Sequence, residues 1–171
     1  MLFEGFDAAA TEGDFEAFES EDFGAADDEV HAFELENCEF ERFDLTATDY
    51  AWDGELPTTA GRYSIDLSND GEEGHVVVIG RLNDGVTGTA EEAFAAVSEA
   101  PDPESAFGES FTEVPGPFAV PGDSEYAYTD LEAGQYVLLC PIPVGSTVDV
   151  GFEGSGPPHF TQGMLEFFEI G

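Results

Sequence analysis

Gly134–Ile170 reads GQYVLLCPIPVGSTVDVGFEGSGPPHFTQGMLEFFEI, and the reading of the whole chain turns on it. The apolar run Tyr136-Val137-Leu138-Leu139 ends at Cys140, and a second apolar run fills Leu165 to Ile170. Short runs of this kind, bounded by Gly and Pro, read as buried strands. Between them lies a Gly- and Pro-rich loop that closes on Pro158-His159 and then Gly163-Met164. A thiol, an imidazole and a thioether are therefore supplied by two strand ends and their connecting loop.

Soft sulfur donors with imidazole select copper over magnesium or calcium, and two histidines, one cysteine and a weak axial methionine form the blue-copper set. The chain has three histidines, and the second one needed for that set is found in Asn69-Asp70-Gly71-Glu72-Glu73-Gly74-His75, just after the strand-like run Arg62–Leu67. On these residues the chain resembles the plastocyanin-type cupredoxins. Tyr136–Cys140 matches the strand ending Y-x-x-x-C, Pro158-His159 with Gly163-Met164 matches P-H-x-x-x-G-M, and Asn69 to His75 is similar to the segment bearing the first copper histidine. The resemblance spans about residues 43–170. It implies an all-β, cupredoxin-like Greek-key β-sandwich holding one mononuclear copper through His75, Cys140, His159 and Met164. It also implies a one-electron carrier rather than an enzyme, working with redox partner proteins at an extracellular or cell-surface location. Asn69 would pin the loop that carries the thiolate. In plastocyanin the cysteine and second histidine lie a few residues apart, whereas here eighteen residues, 141–158, separate Cys140 from His159. A His159 ring more than about 8 Å from Cys140 would exclude a shared ion, since such metal–ligand bonds run about 2.0–2.3 Å.

Each of these residues also has a plainer use. His75 beside a buried strand reads equally as a satisfied core histidine, Met164 as core, and Cys140 as a small buried hydrophobe. Cys140 could instead pair with Cys38 in one disulfide, leaving a metal-free domain that serves as a structural or assembly module. If 41–50 is the first strand, Cys38 enters at the end opposite the ligand loops. Ten strand residues span about 33 Å, and a disulfide needs Cα atoms within about 7 Å. No Ser/His/Asp triad, phosphate loop or carboxylate pair stands out among the acids.

The charge balance narrows the partners. Thirty-nine acidic residues face three arginines and no lysine, giving a net charge of −36. Nucleic acid and anionic membranes are poor partners for such a surface, because both are bound through cationic contacts. There is no apolar run of about 18 residues, so no membrane span is expected. The N-terminus lacks the positive start and apolar core of a signal peptide, and the extracellular reading takes Met1 as added to a mature form.

The remaining chain reads as one domain with an appendage. Residues 1–32 mix acids with Phe3, Phe6, Phe15, Phe18 and Phe23 at irregular spacing. They read as a flexible acidic arm, with self-association or partner docking through the phenylalanines as its functional alternative. His31 falls in that arm and reads as solvated. From Phe33 to Ala47 an alternation that slips phase twice reads as one or two bulged strands, opening a domain over 33–171. Val76–Ile79 is apolar on both faces and reads as a buried strand. Thr89-Ala90-Glu91-Glu92 is a capping box that starts a single helix over 89–99. Residues 100–124 read as loop with a short strand at Phe118–Val120, and 125–129 is expected to pair with 135–140 across the turn 130–134.

Lysine-free acidity of this extent reads as adaptation to high salt, since molar salt shortens the Debye length to about 3 Å and screens self-repulsion. Melting temperature is therefore expected to rise markedly from low to molar salt. A flat profile in scanning calorimetry would instead assign the charge to docking.

Overall fold

The computed structural model describes residues 21–114, 116–150 and 153–171, with side chains from Glu29 onward. The chain divides into two units between Phe40 and Glu41. Residues 1–20, which hold most of the Phe-containing arm, lie outside the described set. The first unit contains helix α1, Glu21–Asn37. This corrects the strand expected from Phe33, because residues 33–37 are helical. Ala25, Ala26, Ala32 and the run Glu34-Leu35-Glu36 are low-cost helix formers, and their summed propensity outweighs a short alternation. Cys38 N–H still donates to the Glu34 carbonyl at 2.8 Å, and the turn exits through Glu39 in the left-handed region, φ 56°.

The second unit is a sandwich of two four-stranded sheets. One has the order β2 (Ala51–Asp53), β1 (Glu41–Thr48), β3 (Gly61–Asn69), β8 (Ser124–Leu131), with β1 and β3 parallel. The other has the order β10 (Leu165–Ile170), β9 (Gly134–Leu139), β5 (Val78–Leu82), β6 (Phe111–Val114), all antiparallel. A two-stranded ribbon, β4 (His75–Val76) with β7 (Phe118–Ala119), is paired separately from both sheets. Phe43, Leu45 and Ala47 alternate inward along β1, as do Tyr63, Ile65 and Leu67 along β3. They meet Ile79, Tyr136, Leu138 and Ile170 from the other sheet in one core.

Strand β9 explains its own composition. Tyr136, Leu138 and then Cys140 belong to the core between the sheets, whereas Val137 and Leu139 pack with Ala90, Phe94 and Val97 of helix α2, Ala90–Ser98. A strand covered on both faces must be apolar at every position. The expected helix is present with its capping box: Thr89 Oγ accepts from Glu92 N–H at 3.2 Å, and the Glu92 carboxylate accepts from Thr89 N–H at 2.9 Å.

Two expectations are corrected here. A further helix, α3 (Pro103–Ser110), occupies part of the stretch read as loop. Pro103 sits at its first turn and Asp102 caps it, a position where proline's missing N–H costs nothing. The 125–129 and 135–140 strands do not form a hairpin: β8 pairs with β3, and β9 pairs with β5 and β10. The chain crosses between the sheets at 132–133, where Arg81 holds the Ala133 carbonyl and Tyr136 O–H donates to the Glu132 carbonyl at 2.7 Å.

Ile79 has no exposed surface at the junction of the two sheets. Ile79→Ala is expected to destabilise the protein by about 3 kcal/mol through lost burial and the cavity left behind. The measurement is a lowered urea midpoint with an unchanged denaturant slope.

Candidate metal centre

Four segments meet at one end of the sandwich. The β1–β2 hairpin turns through Asp49-Tyr50, with Tyr50 at φ 68°, and presents Tyr50 and Trp52. The turn after β3 presents Glu73 and His75, the end of β9 presents Cys140, and a short 3-10 turn, His159–Thr161, presents His159.

The eighteen-residue interval between Cys140 and His159 does not separate them, because its two ends zip together. Phe160 N–H donates to the Cys140 carbonyl at 2.9 Å, His159 N–H to Ile142 at 2.8 Å, Val144 N–H to Pro157 at 2.9 Å, and Gly156 N–H to Val144 at 2.9 Å. Every donor in this stem is a non-proline residue. Pro141, Pro143, Pro157 and Pro158 occupy positions that need give no hydrogen bond. Above the stem, Ser146 Oγ donates to the Pro143 carbonyl and accepts from Gly154 N–H. A Cβ at Gly154 would stand 2.5 Å from the Pro143 oxygen and 2.6 Å from the Val144 oxygen, so the approach requires glycine.

The outcome is a fully buried trio. His75, Cys140 and His159 are each 0% exposed, and their donor atoms all lie within 4.8 Å of one another. Cys140 Sγ is 3.5 Å from His159 Nδ1, far inside the limit of about 8 Å set by metal–ligand bond lengths. Among the described residues this is the group of nitrogen and sulfur donors able to share an ion. Met164 is buried in the same core cluster as Cys140, and its carbonyl accepts from Cys140 N–H at 3.2 Å. Both cysteines are free thiols, so the Cys38–Cys140 disulfide does not form. His31 lies in α1, in the other unit.

The electrostatics favour the neutral forms of His75 and Cys140. Burial pushes the His75 imidazole down to about 4, helped by the neighbouring His159 and only partly opposed by Asp49 and Glu73. Burial also pushes the Cys140 thiol up, against the pull of the Val76 and Ile142 backbone N–H groups. Burial would raise the Glu73 carboxyl as well, but hydrogen bonds from Tyr50, His159, Gly145 and Ser146 outweigh it and hold the group low.

Both ring nitrogens of His75 are buried, and neither has a hydrogen-bond partner among the described residues. A buried polar atom without a partner costs about 1–3 kcal/mol, and a metal ion would remove that cost for the one nitrogen that binds it. The donor chemistry and the orphaned imidazole therefore fit a single mononuclear metal site.

Asn69 does not reach the thiolate loop as the resemblance implies. Its Nδ2 donates to the Glu73 and Ala119 carbonyls at 2.8 and 2.9 Å, and its Oδ1 accepts from Gly71 N–H. The side chain that does reach the loop is Glu73, which sequence reasoning missed among thirty-nine acids. Its one local signal is its place two residues before His75.

No known family profile and no curated protein matches the chain. Among solved structures it is similar to reduced auracyanin from Roseiflexus castenholzii, at 18% identity over 76% of this chain and 96% of that one, TM-score 0.45. It is also similar to auracyanin A, a "blue" copper protein from Chloroflexus aurantiacus, at 17% identity over 77% and 98%, TM-score 0.46. A third likeness is auracyanin B, at 17% identity over 76% and 88%, TM-score 0.44. The sandwich with its buried trio is the architecture that the cupredoxin resemblance implies.

Acid should destabilise the metal-free protein. A histidine whose folded pKa is depressed binds fewer protons folded than unfolded, so its contribution is lost as pH falls from about 6.5 toward about 4. Glu73, also held low, acts in the same direction below its ordinary range. Melts of chelator-treated protein should show the midpoint falling through this window, and a flat profile would contradict a neutral buried His75.

Proposed function

We propose that the protein is a one-electron carrier of the cupredoxin type, in which His75, Cys140 and His159, together with Met164, would hold one copper. The observation that carries this reading is the wholly buried pair of imidazoles and thiol with donor atoms inside one ion's reach. When bound, copper would supply a Cu(I)/Cu(II) couple, and a donor set of two histidines, one cysteine and one methionine suits that chemistry. The chain's own residues bind, orient and keep out water. The stem fixes Cys140 beside His159, and the turn after β3 fixes His75. The aromatic edges of Trp52 against His75 and Tyr50 against His159 complete the wall. The acidic surface suits redox partners that dock through basic faces, and a site outside the cytoplasm accords with this reading.

The test is metal analysis and visible spectroscopy of protein purified with copper available. Wild type should bind one equivalent and show thiolate-to-copper absorption. Cys140→Ser should abolish that band while the fold persists, and Met164→Leu should keep colour and copper but shift the potential. His75→Ala or His159→Ala should weaken copper binding at least about tenfold, beyond the lower end of the loss known for residues that merely support a ligand. A wild type that stays colourless and metal-free would leave the structural module as the better reading.

A further inference from the structure

We propose that Glu73 is the positioning residue of the centre: its carboxylate selects which nitrogen of His159 faces Cys140, and the same oxygen fastens the 141–158 loop. The inference rests on the copper reading for its consequence in affinity, but its structural half stands without metal.

The argument begins with donors and acceptors. Glu73 Oε1 accepts from Tyr50 O–H at 2.8 Å. Oε2 accepts from Gly145 N–H at 2.6 Å and Ser146 N–H at 2.9 Å, and lies 3.1 Å from His159 Nε2. An ionised carboxylate is acceptor-only, with room for about four hydrogen bonds. His159 Nε2 must therefore carry the proton and donate it. A histidine that ligates a metal must be neutral, with one N–H and one bare nitrogen; a proton on Nε2 then leaves Nδ1 bare, and it is Nδ1 that stands 3.5 Å from Cys140 Sγ. The carboxylate thus sets both the ring orientation and the tautomer that a metal ligand requires, as acceptors behind ligating histidines generally do.

Glu73 is itself held. Asn69 Nδ2 donates to its carbonyl at 2.8 Å, and Gly74 N–H donates to the Ser146 carbonyl at 3.0 Å, so side chain and backbone grip the loop together. Glu73 stands 86 residues from His159 in sequence, and its two oxygens join the hairpin, the loop and the ligand in one network. His75 has no comparable partner: packing positions it, and a Cβ added at Gly71 would stand only 3.0 Å from its Nε2.

Ring nitrogen-15 chemical shifts of the full-length, metal-free protein test the proposal directly. His159 is expected to be protonated on Nε2 in wild type, and a ring protonated on Nδ1 would overturn the inference without any variant. In Glu73→Ala the ring should become a tautomer mixture, amide exchange at Gly145 and Ser146 should quicken at least about tenfold, and copper affinity should fall roughly 10–100-fold. Glu73→Gln retains an oxygen acceptor and should keep the wild-type tautomer. If His159 keeps its tautomer in Glu73→Ala and only the loop amides respond, Glu73 is a loop clasp and the proposal is overturned. If wild type takes up no copper, the electron-transfer reading falls, and the tautomer data alone decide the role of Glu73.

Discussion

The centre depends on four backbone hydrogen bonds that close the stem between Cys140 and Phe160. A flexible loop of eighteen residues would leave its ends wandering, and closing it costs conformational entropy that grows only slowly with length. Here the closure is met locally by a ladder, so the spacing of thiol and imidazole is set by the base of the loop and not by its length. The prolines reinforce this by fixing φ at four stem positions without removing a donor that the ladder uses.

The sandwich supplies the other half of the geometry. Cys140 continues the inward phase of Tyr136 and Leu138, so the alternation that builds the core also delivers the thiol to its end. A one-residue slip would turn Tyr136, Leu138 and Cys140 toward α2 and Val137 and Leu139 into the inter-sheet core, so the fit of both covered faces fixes that phase. His75 arrives where the apolar run 76–79 breaks at Val77 into β4 and β5. The histidine is thereby carried by the short β4–β7 ribbon, which is paired separately from the two main sheets.

Much of this was legible in the sequence. The strand-ending Cys140, the Pro158-His159 and Gly163-Met164 pairs and the Asn69–His75 turn gave three donors that do converge, and Thr89 with Glu92 announced α2. What escaped notice has physical causes. Pro103 falls in the stretch that reads as loop, although at a first helical turn proline is a starter. The crossing at 132–133 looked like a hairpin turn, because turn chemistry does not reveal which sheet the next strand joins. Glu73 was one acid among many, and its role exists only where residues distant in sequence meet. The swap between Asn69 and Glu73 is of the same kind: proximity to His75 pointed to the right turn, but side-chain reach decided which residue touches the loop.

Complete burial of the three donors has a kinetic side. With His75, Cys140 and His159 sealed from solvent, an ion can reach or leave them only when part of the wall opens, and the loop gripped by Glu73 is the part joined to the rest by a few discrete hydrogen bonds. Such local openings are rare excursions from the folded state. Metal uptake by this chamber is therefore gated: at rising ion concentration its rate levels off at the frequency of opening. An ion once captured is lost no faster than the wall breathes.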